Sequence, residues 1–370
     1  MSTWILRLAP PGDGLRVAVK DLIDVEGLPT TGASPALAER ARPADADAPC
    51  LRGVREAGAR IVGKANLHEL AFGGTGVNHW YGTPVNPLDP TRIPGGSSSG
   101  CAVALATDEA DVAIGTDTGG SVRTPSACCG TVGLKTTHGR VPLAGVYPLA
   151  PSLDTVGPMA RDVAGVVTGM GLLEPGFRPA DEATTTIGRV RVPGTDPAID
   201  RAVDEVLATT GLTVVPVDLP GYEAAVRAAV TILFAEAWQS DGELVESGAP
   251  LGEDLRERLD QARRITEAEV AAAEHERERW RRHLEAAHEV APVLAWPTLL
   301  GLPARLDDPV PDTRTTNIVV NLAGVPSLVL PVPLRGSHLP TSIQLVGARD
   351  AEELLCATGL VVEAAAASMR

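Results

Sequence analysis

A chain of 370 residues, 44% of them apolar and 21% charged, is long enough to bury a large core and allows one to three domains. Its formal charge of −15 argues against a nucleic-acid surface, because phosphate binding needs clustered cationic side chains. No apolar run approaches the roughly 18 residues that span a bilayer, and the N-terminus lacks a basic stretch followed by an apolar core, so a soluble, cytoplasmic protein without membrane or nucleic-acid partners is expected.

In chain order, Val17-Ala18-Val19-Lys20 alternates small and β-branched residues and reads as a strand that carries a lysine into an apolar interior. Residues 47–57 read as a helix, and 101–106 as a small-residue helix opened by the serines Ser97 to Ser99. Val112-Ala113-Ile114-Gly115 reads as a buried strand feeding a second glycine-rich turn. From about 222 to 290 the composition shifts to Ala, Glu and Arg with helical periodicity, a helical excursion from the sheet. Arginines around Arg277 and Arg282 alternate with glutamates there, as on a solvated helix face. The run 317–326 leads into a strand-rich segment at 327–333, and a last helix covers 351–367. With no repeat or low-complexity linker, residues 1–370 read as one α/β domain.

Five cysteines, Cys50, Cys101, Cys128, Cys129 and Cys356, without C-x-x-C spacing read as buried thiols, with Cys128 or Cys129 a minor candidate for lining a pocket. His68 in Asn66-Leu67-His68-Glu69-Leu70 lacks the second histidine of a zinc-binding helix and reads as a polar or packing residue. Neither glycine loop holds the Gly-Lys-Ser/Thr of a phosphate cradle, so neither a metal nor a cofactor is indicated.

The chemistry concentrates in two glycine-rich segments, Gly95-Gly96-Ser97-Ser98-Ser99-Gly100 and Gly115-Thr116-Asp117-Thr118-Gly119-Gly120-Ser121. A serine hydroxyl needs a base, and a buried lysine whose pKa falls towards about 7 to 8 supplies a neutral amine. A second serine can relay the proton, an arrangement without histidine. Ser121 is the better nucleophile because Thr118, Gly119 and Gly120 form a turn whose N–H groups converge as an oxyanion hole. Plain alternatives stand beside this: the serines as helix N-caps, Ser98 as the centre of a Gly-x-Ser-x-Gly elbow, and Arg123 as an ion-pair partner of Asp117. The elbow would need a downstream acid and histidine, whereas His275, His283 and His288 lie in the helical segment and His338 near a turn.

Ala18-Val19-Lys20-Asp21, the two serine segments through Val122-Arg123 to Cys129-Gly130, Ser152-Leu153-Asp154-Thr155-Val156-Gly157-Pro158 and Asn321-Leu322-Ala323-Gly324-Val325-Pro326 together resemble the amidase signature family. The resemblance implies a mixed twisted sheet sandwiched by helices, with Ser121 as acyl-enzyme nucleophile, Ser97 as bridging serine behind a cis bond from Gly96, and Lys20 as base. It also implies Thr118, Gly119 and Gly120 as the oxyanion hole. Gly96, Ser98, Asp117 and Arg123 are taken as substrate-binding, with Arg123 a candidate for a substrate carboxylate. Walls from 78–82, Phe234, Trp238 and 296–302, in a chain with 3% aromatic residues, suit a small or slender amide.

The expected reaction is amide hydrolysis to acid plus ammonia or amine, and the other reading is an amidotransferase-type subunit that supplies ammonia to a partner, as in the amidation of glutamyl-tRNA. A third reading, a binding protein that has kept the fold, is disfavoured by the intact Lys20, Ser97 and Ser121. A homodimer is compatible with the resemblance. The chain starts 19 residues before Lys20, shorter than many relatives, and its compactness and GGSSSG form resemble the indole-3-acetamide hydrolase and general amidase type.

Overall fold

The computed structural model describes residues 3–308 and 316–369. The strands are β1 (Trp4–Arg7), β2 (Arg16–Lys20), β3 (Arg60–Ala65), β4 (Val112–Asp117), β5 (Val132–Lys135), β6 (Thr155–Ala160), β7 (Thr186–Arg189), β8 (Thr213–Pro216), β9 (Val293–Pro297), β10 (Ser327–Val332) and β11 (Thr341–Gly347). They form one 11-stranded sheet in the order β1-β3-β2-β4-β6-β5-β10-β11-β9-β7-β8. Parallel pairs β3–β2–β4 and β9–β7–β8 flank an antiparallel centre, so the sheet is mixed.

The helices are α1 (Pro35–Ala38), α2 (Arg52–Glu56), α3 (Ser99–Ala106), α4 (Arg123–Cys129), α5 (Val163–Leu173), α6 (Pro197–Thr209), α7 (Tyr222–Glu246), α8 (Glu253–Ala262), α9 (Glu267–Val290), α10 (Ile318–Ala323) and α11 (Glu352–Ser368). Helices α2, α5, α6 and α11 bury one face of the sheet around Val166, Val206, Leu330, Ile343 and Leu355. Helices α7 to α10 cover the other through Leu233, Leu259, Trp280, Val319 and Val346, and α3 packs on Ala18, Ala113 and Met159. The period of two along β11 produces this division: Ile343 and Leu345 enter one layer and Val346 the other.

Most expected elements are present. The helix read at 47–57 begins as a tight turn, Pro49–Leu51, before α2. The helical excursion resolves into α7, α8 and α9, the last opened by a capping box in which Thr266 and Glu269 exchange bonds with each other's backbone N–H. Within 317–326 lies α10, a six-residue helix fully buried among its neighbours.

The sheet order puts the chemistry at one place. β2 and β4 are parallel neighbours with Val19 opposite Ile114, so both release their chains at the same end, Lys20 beside Thr116. Helix α3 presses close behind: a Cβ on Gly100 would stand 2.5 Å from the backbone nitrogen of Asn66. Glycine is required there by approach, not by dihedral angle.

Candidate active site

Lys20 ends β2 with its side chain wholly buried, and its Nζ lies 2.7 Å from Ser97 Oγ and 2.7 Å from Thr116 Oγ1. Burial pulls the ammonium pKa down to about 7, against the raising influence of Cys101, Asp117 and Asp154. The amine is thus half neutral near pH 7, as a general base requires. Ser97 follows a cis bond from Gly96, in line with the resemblance, and its carbonyl accepts from the His68 N–H at 3.1 Å.

The two serine loops are joined directly, since the Ser98 N–H donates to the Ser121 carbonyl at 3.1 Å. Ser98 opens α3 without a side-chain cap, and its hydroxyl bonds the Thr116 carbonyl at 3.3 Å instead. Ser98 is also fully buried, which leaves no role for it as an elbow nucleophile. Val122, not Ser121, stands at the cap of α4, so neither capping alternative describes these serines. Ser121 keeps 7% of its surface, and its hydroxyl is hydrogen-bonded to nothing among the described residues, Ser97 included.

Around Ser121, the N–H groups of Thr118, Gly119 and Ser121 itself have no acceptor among the described residues. Gly120 departs from expectation, because its N–H donates to Asp117 Oδ1 at 2.8 Å and is therefore engaged in shaping the turn. Its φ of +123° and the 2.7 Å between a would-be Cβ and Asn317 Cβ explain the glycine. Asp117 also accepts from the N–H groups of Val122 and Arg123, which winds the chain from β4 into α4.

For Asp117 and Arg123 the substrate-binding assignment is corrected and the ion-pair reading holds, at 2.9 Å. All five guanidinium N–H groups are engaged: two on Asp117, one each on the Asn317 carbonyl, Gln344 and Asn321. With both side chains wholly buried, no donor of Arg123 is left for a substrate carboxylate. Burial alone would raise the Asp117 pKa, but Arg123 and Lys135 outweigh it and hold the carboxylate far below its ordinary range. Gly96 is backbone support of the same kind, packed against the Gly76 backbone.

Thr116 and Asp154, which sequence reasoning had not singled out, belong to the same constellation. Thr118 Oγ1 donates to Asp154 Oδ1 at 2.6 Å, and the backbone N–H groups of Leu149 and Ala150 converge on the same carboxylate. Beside them lies a cavity of about 10 Å³ lined by Thr116, Thr118, Tyr147, Asp154, Leu22 and Ala71, room for about one water with several polar partners. The alternation of β4 was the available signal, since Thr116 falls on the face that meets Lys20.

The expected walls are mixed. Phe234 meets Phe72 edge-on at 4.9 Å, and Leu233 and Ile318 stand beside Gly119. Trp296 is buried with its Nε1–H on the Thr316 carbonyl, and the Asn78 amide donates to the Ala33 and Leu67 carbonyls, so both are framework. Cys128 lies behind Gly95 as a buried thiol. His68 is held between Thr75 and Asp254, a packing and polar role.

A mixed sheet sandwiched by helices, with a buried lysine against a serine and a glycine turn leading to a second serine, defines the class to which amide-cleaving enzymes of this architecture belong. The family model described as Amidase matches residues 7–174 and 177–356, and the chain belongs to that family. It is 35% identical to the A-type subunit of the glutamyl-tRNA(Gln) amidotransferase of Halobacterium salinarum, over 95% of this chain and 96% of that protein. The corresponding protein of Symbiobacterium thermophilum is 36% identical over 91% of this chain and 80% of its own. A solved structure described as an amidase superposes with a TM-score of 0.86 at 31% identity, covering 95% of this chain and 84% of that one. No helix among the described residues is long and apolar enough to cross a membrane.

Proposed function

We propose that the chain cleaves the C–N bond of a carboxamide through an acyl-enzyme on Ser121. The neutral Lys20 amine takes the Ser97 proton as Ser97 takes that of Ser121, and Ser121 Oγ attacks the amide carbonyl. The oxygen that gains charge faces the unengaged N–H groups of Thr118, Gly119 and Ser121, each such donor contributing about 3 kcal/mol to transition-state stabilisation. The lysinium proton returns through Ser97 to the nitrogen, the C–N bond breaks, and ammonia or an amine leaves. Water then repeats the cycle on the ester and frees the acid. Because the two hydroxyls are not bonded to each other, the relay closes when substrate turns the Ser121 side chain.

The observation that carries this reading is the 2.7 Å contact between a fully buried lysine amine and Ser97, in a loop bonded to the Ser121 carbonyl. Leu233 and Ile318 beside the turn suit a small substrate with an apolar acyl part.

The names of the relatives favour a second reading, in which the same cleavage acts on glutamine and the ammonia passes to a partner that amidates glutamyl-tRNA. Ammonia release from the purified chain separates the two. Turnover of simple primary amides without a partner supports the first reading. Turnover of glutamine alone, rising when a partner is added, supports the second. Failure of Ser121→Ala to abolish either would remove the shared mechanism.

A further inference from the structure

At the C-terminal end of α10, the end opposite the one that meets the Gly119–Gly120 turn, lies an open groove of about 480 Å³, within the range of small-molecule sites. One wall is a stripe of α9, with Arg281, Leu284, Glu285, His288 and Glu289 at helical spacing. The other is Ala323 at the end of α10, Val325 just beyond it, and Ala348 and Arg349 after β11.

The charges on these walls are arranged for a ligand with two poles. Glu285 and Glu289 form no ion pair among the described residues, and neither meets Arg349 across the groove. Arg349 holds the His138 carbonyl at 3.0 Å and a loose contact of 3.7 Å to its neighbour Asp350, and its side chain is 60% exposed. Arg281 bonds Glu278 and the Ala323 carbonyl at the same wall. Between them, His288 contributes the carbon edge of its ring to the wall, its nitrogens turned from the groove towards the backbone of Ala291, Pro292 and Gly347.

We infer that this groove binds a zwitterionic amino acid with an apolar side chain. Its ammonium lies towards Glu285 and Glu289, its carboxylate towards Arg349, and its side chain on Leu284, Ala323, Val325 and Ala348. Two carboxylates and two guanidinium groups cancel, so a simple anion or cation meets as much repulsion as attraction. The site is separate from the catalytic constellation but shares α10 with it. Asn317 and Ile318, where this helix starts, touch Gly120 and Gly119, and Asn321 holds Asp117. The occupant therefore touches the element that positions the nucleophile turn.

The test is calorimetric titration of the full chain with L-leucine, with 4-methylpentanoate and 3-methylbutylamine as analogues lacking one pole, on the parent, Arg349→Gln and Ala348→Trp. Saturable leucine binding, at least about tenfold weaker for each analogue and for Arg349→Gln, and lost in Ala348→Trp, is the expected result. No leucine binding, equal binding of either analogue, or binding unchanged in a folded Ala348→Trp protein would overturn the assignment. Folding of both variants is checked by circular dichroism, and Glu289→Gln, at an exposed position, gives an independent variant with the same expected weakening.

Discussion

Asp117 and Arg123 face each other in a two-bond pair of 2.9 and 3.0 Å, with neither side chain reaching solvent. The pair ties the end of β4 to the start of α4, and Ser121, the proposed nucleophile, lies on the turn between them. Removing one partner leaves the other charge buried and uncompensated, which typically costs about 3–5 kcal/mol. Arg123→Gln is therefore expected to lower the unfolding free energy by that order and to lose amide turnover. Asp117→Asn, which removes the charge and sets an NH2 donor against N–H groups that now share the two carboxylate oxygens, is expected to do the same. Urea titrations read by tryptophan fluorescence, beside the rate of ammonia release, check both.

The pH dependence follows from Lys20. With its pKa near 7, the fraction of neutral amine rises about tenfold per unit below that value and levels off above it. The acidic limb of kcat/KM is expected to have unit slope and to bend near pH 7, measured between pH 5 and 9 in a buffer of constant ionic strength. A limb that bends near 4 would point to a carboxylate as the essential base instead.

Stability carries the same group with its sign fixed by linkage. The folded pKa is depressed below the unfolded value near 10.5, so between pH 7 and 10.5 the unfolded chain binds more protons and stability rises with pH. Lys20→Met removes that buried amine and is expected to stabilise the fold at pH 7 by about 1–3 kcal/mol while abolishing activity. The gain should shrink as the pH approaches 10, which thermal melts at pH 7 and 10 compare.

Gly120→Ala tests the shape of the turn. The added Cβ would lie 2.7 Å from Asn317 Cβ, at a φ that a side chain rarely adopts. Displacing the turn is expected to cost about 10²–10³ in kcat, the range for an impaired oxyanion site, with a smaller effect on KM. An unchanged kcat would place the working N–H groups elsewhere.

Much of this site could be read from the sequence because its parts are local. A lysine ending an alternating run, and serines in glycine-rich turns, announce a buried amine and hydroxyls on tight turns through chemistry that each segment carries by itself. The structure adds what depends on long-range placement. Arg123 looked available because its partners Asn317, Asn321 and Gln344 lie far along the chain and converge on it only in the folded protein. Gly120 looked like an oxyanion donor because no periodicity reveals that Asp117 captures its N–H. Helix α10 was hidden for a similar reason: six residues buried on all sides carry no amphipathic pattern.

The central claim is that Ser121 is a nucleophile activated through Ser97 by Lys20, and covalent capture tests it most directly. A fluorophosphonate is incubated with the parent, Lys20→Ala and Ser97→Ala proteins, and the modified peptide is located by mass spectrometry over time. The expected result is one adduct per chain, on Ser121, with labelling slowed by at least about a hundredfold in each variant. An adduct on Ser97 or Ser98, or labelling of Ser121 at the parent rate when Lys20 is absent, would contradict the account.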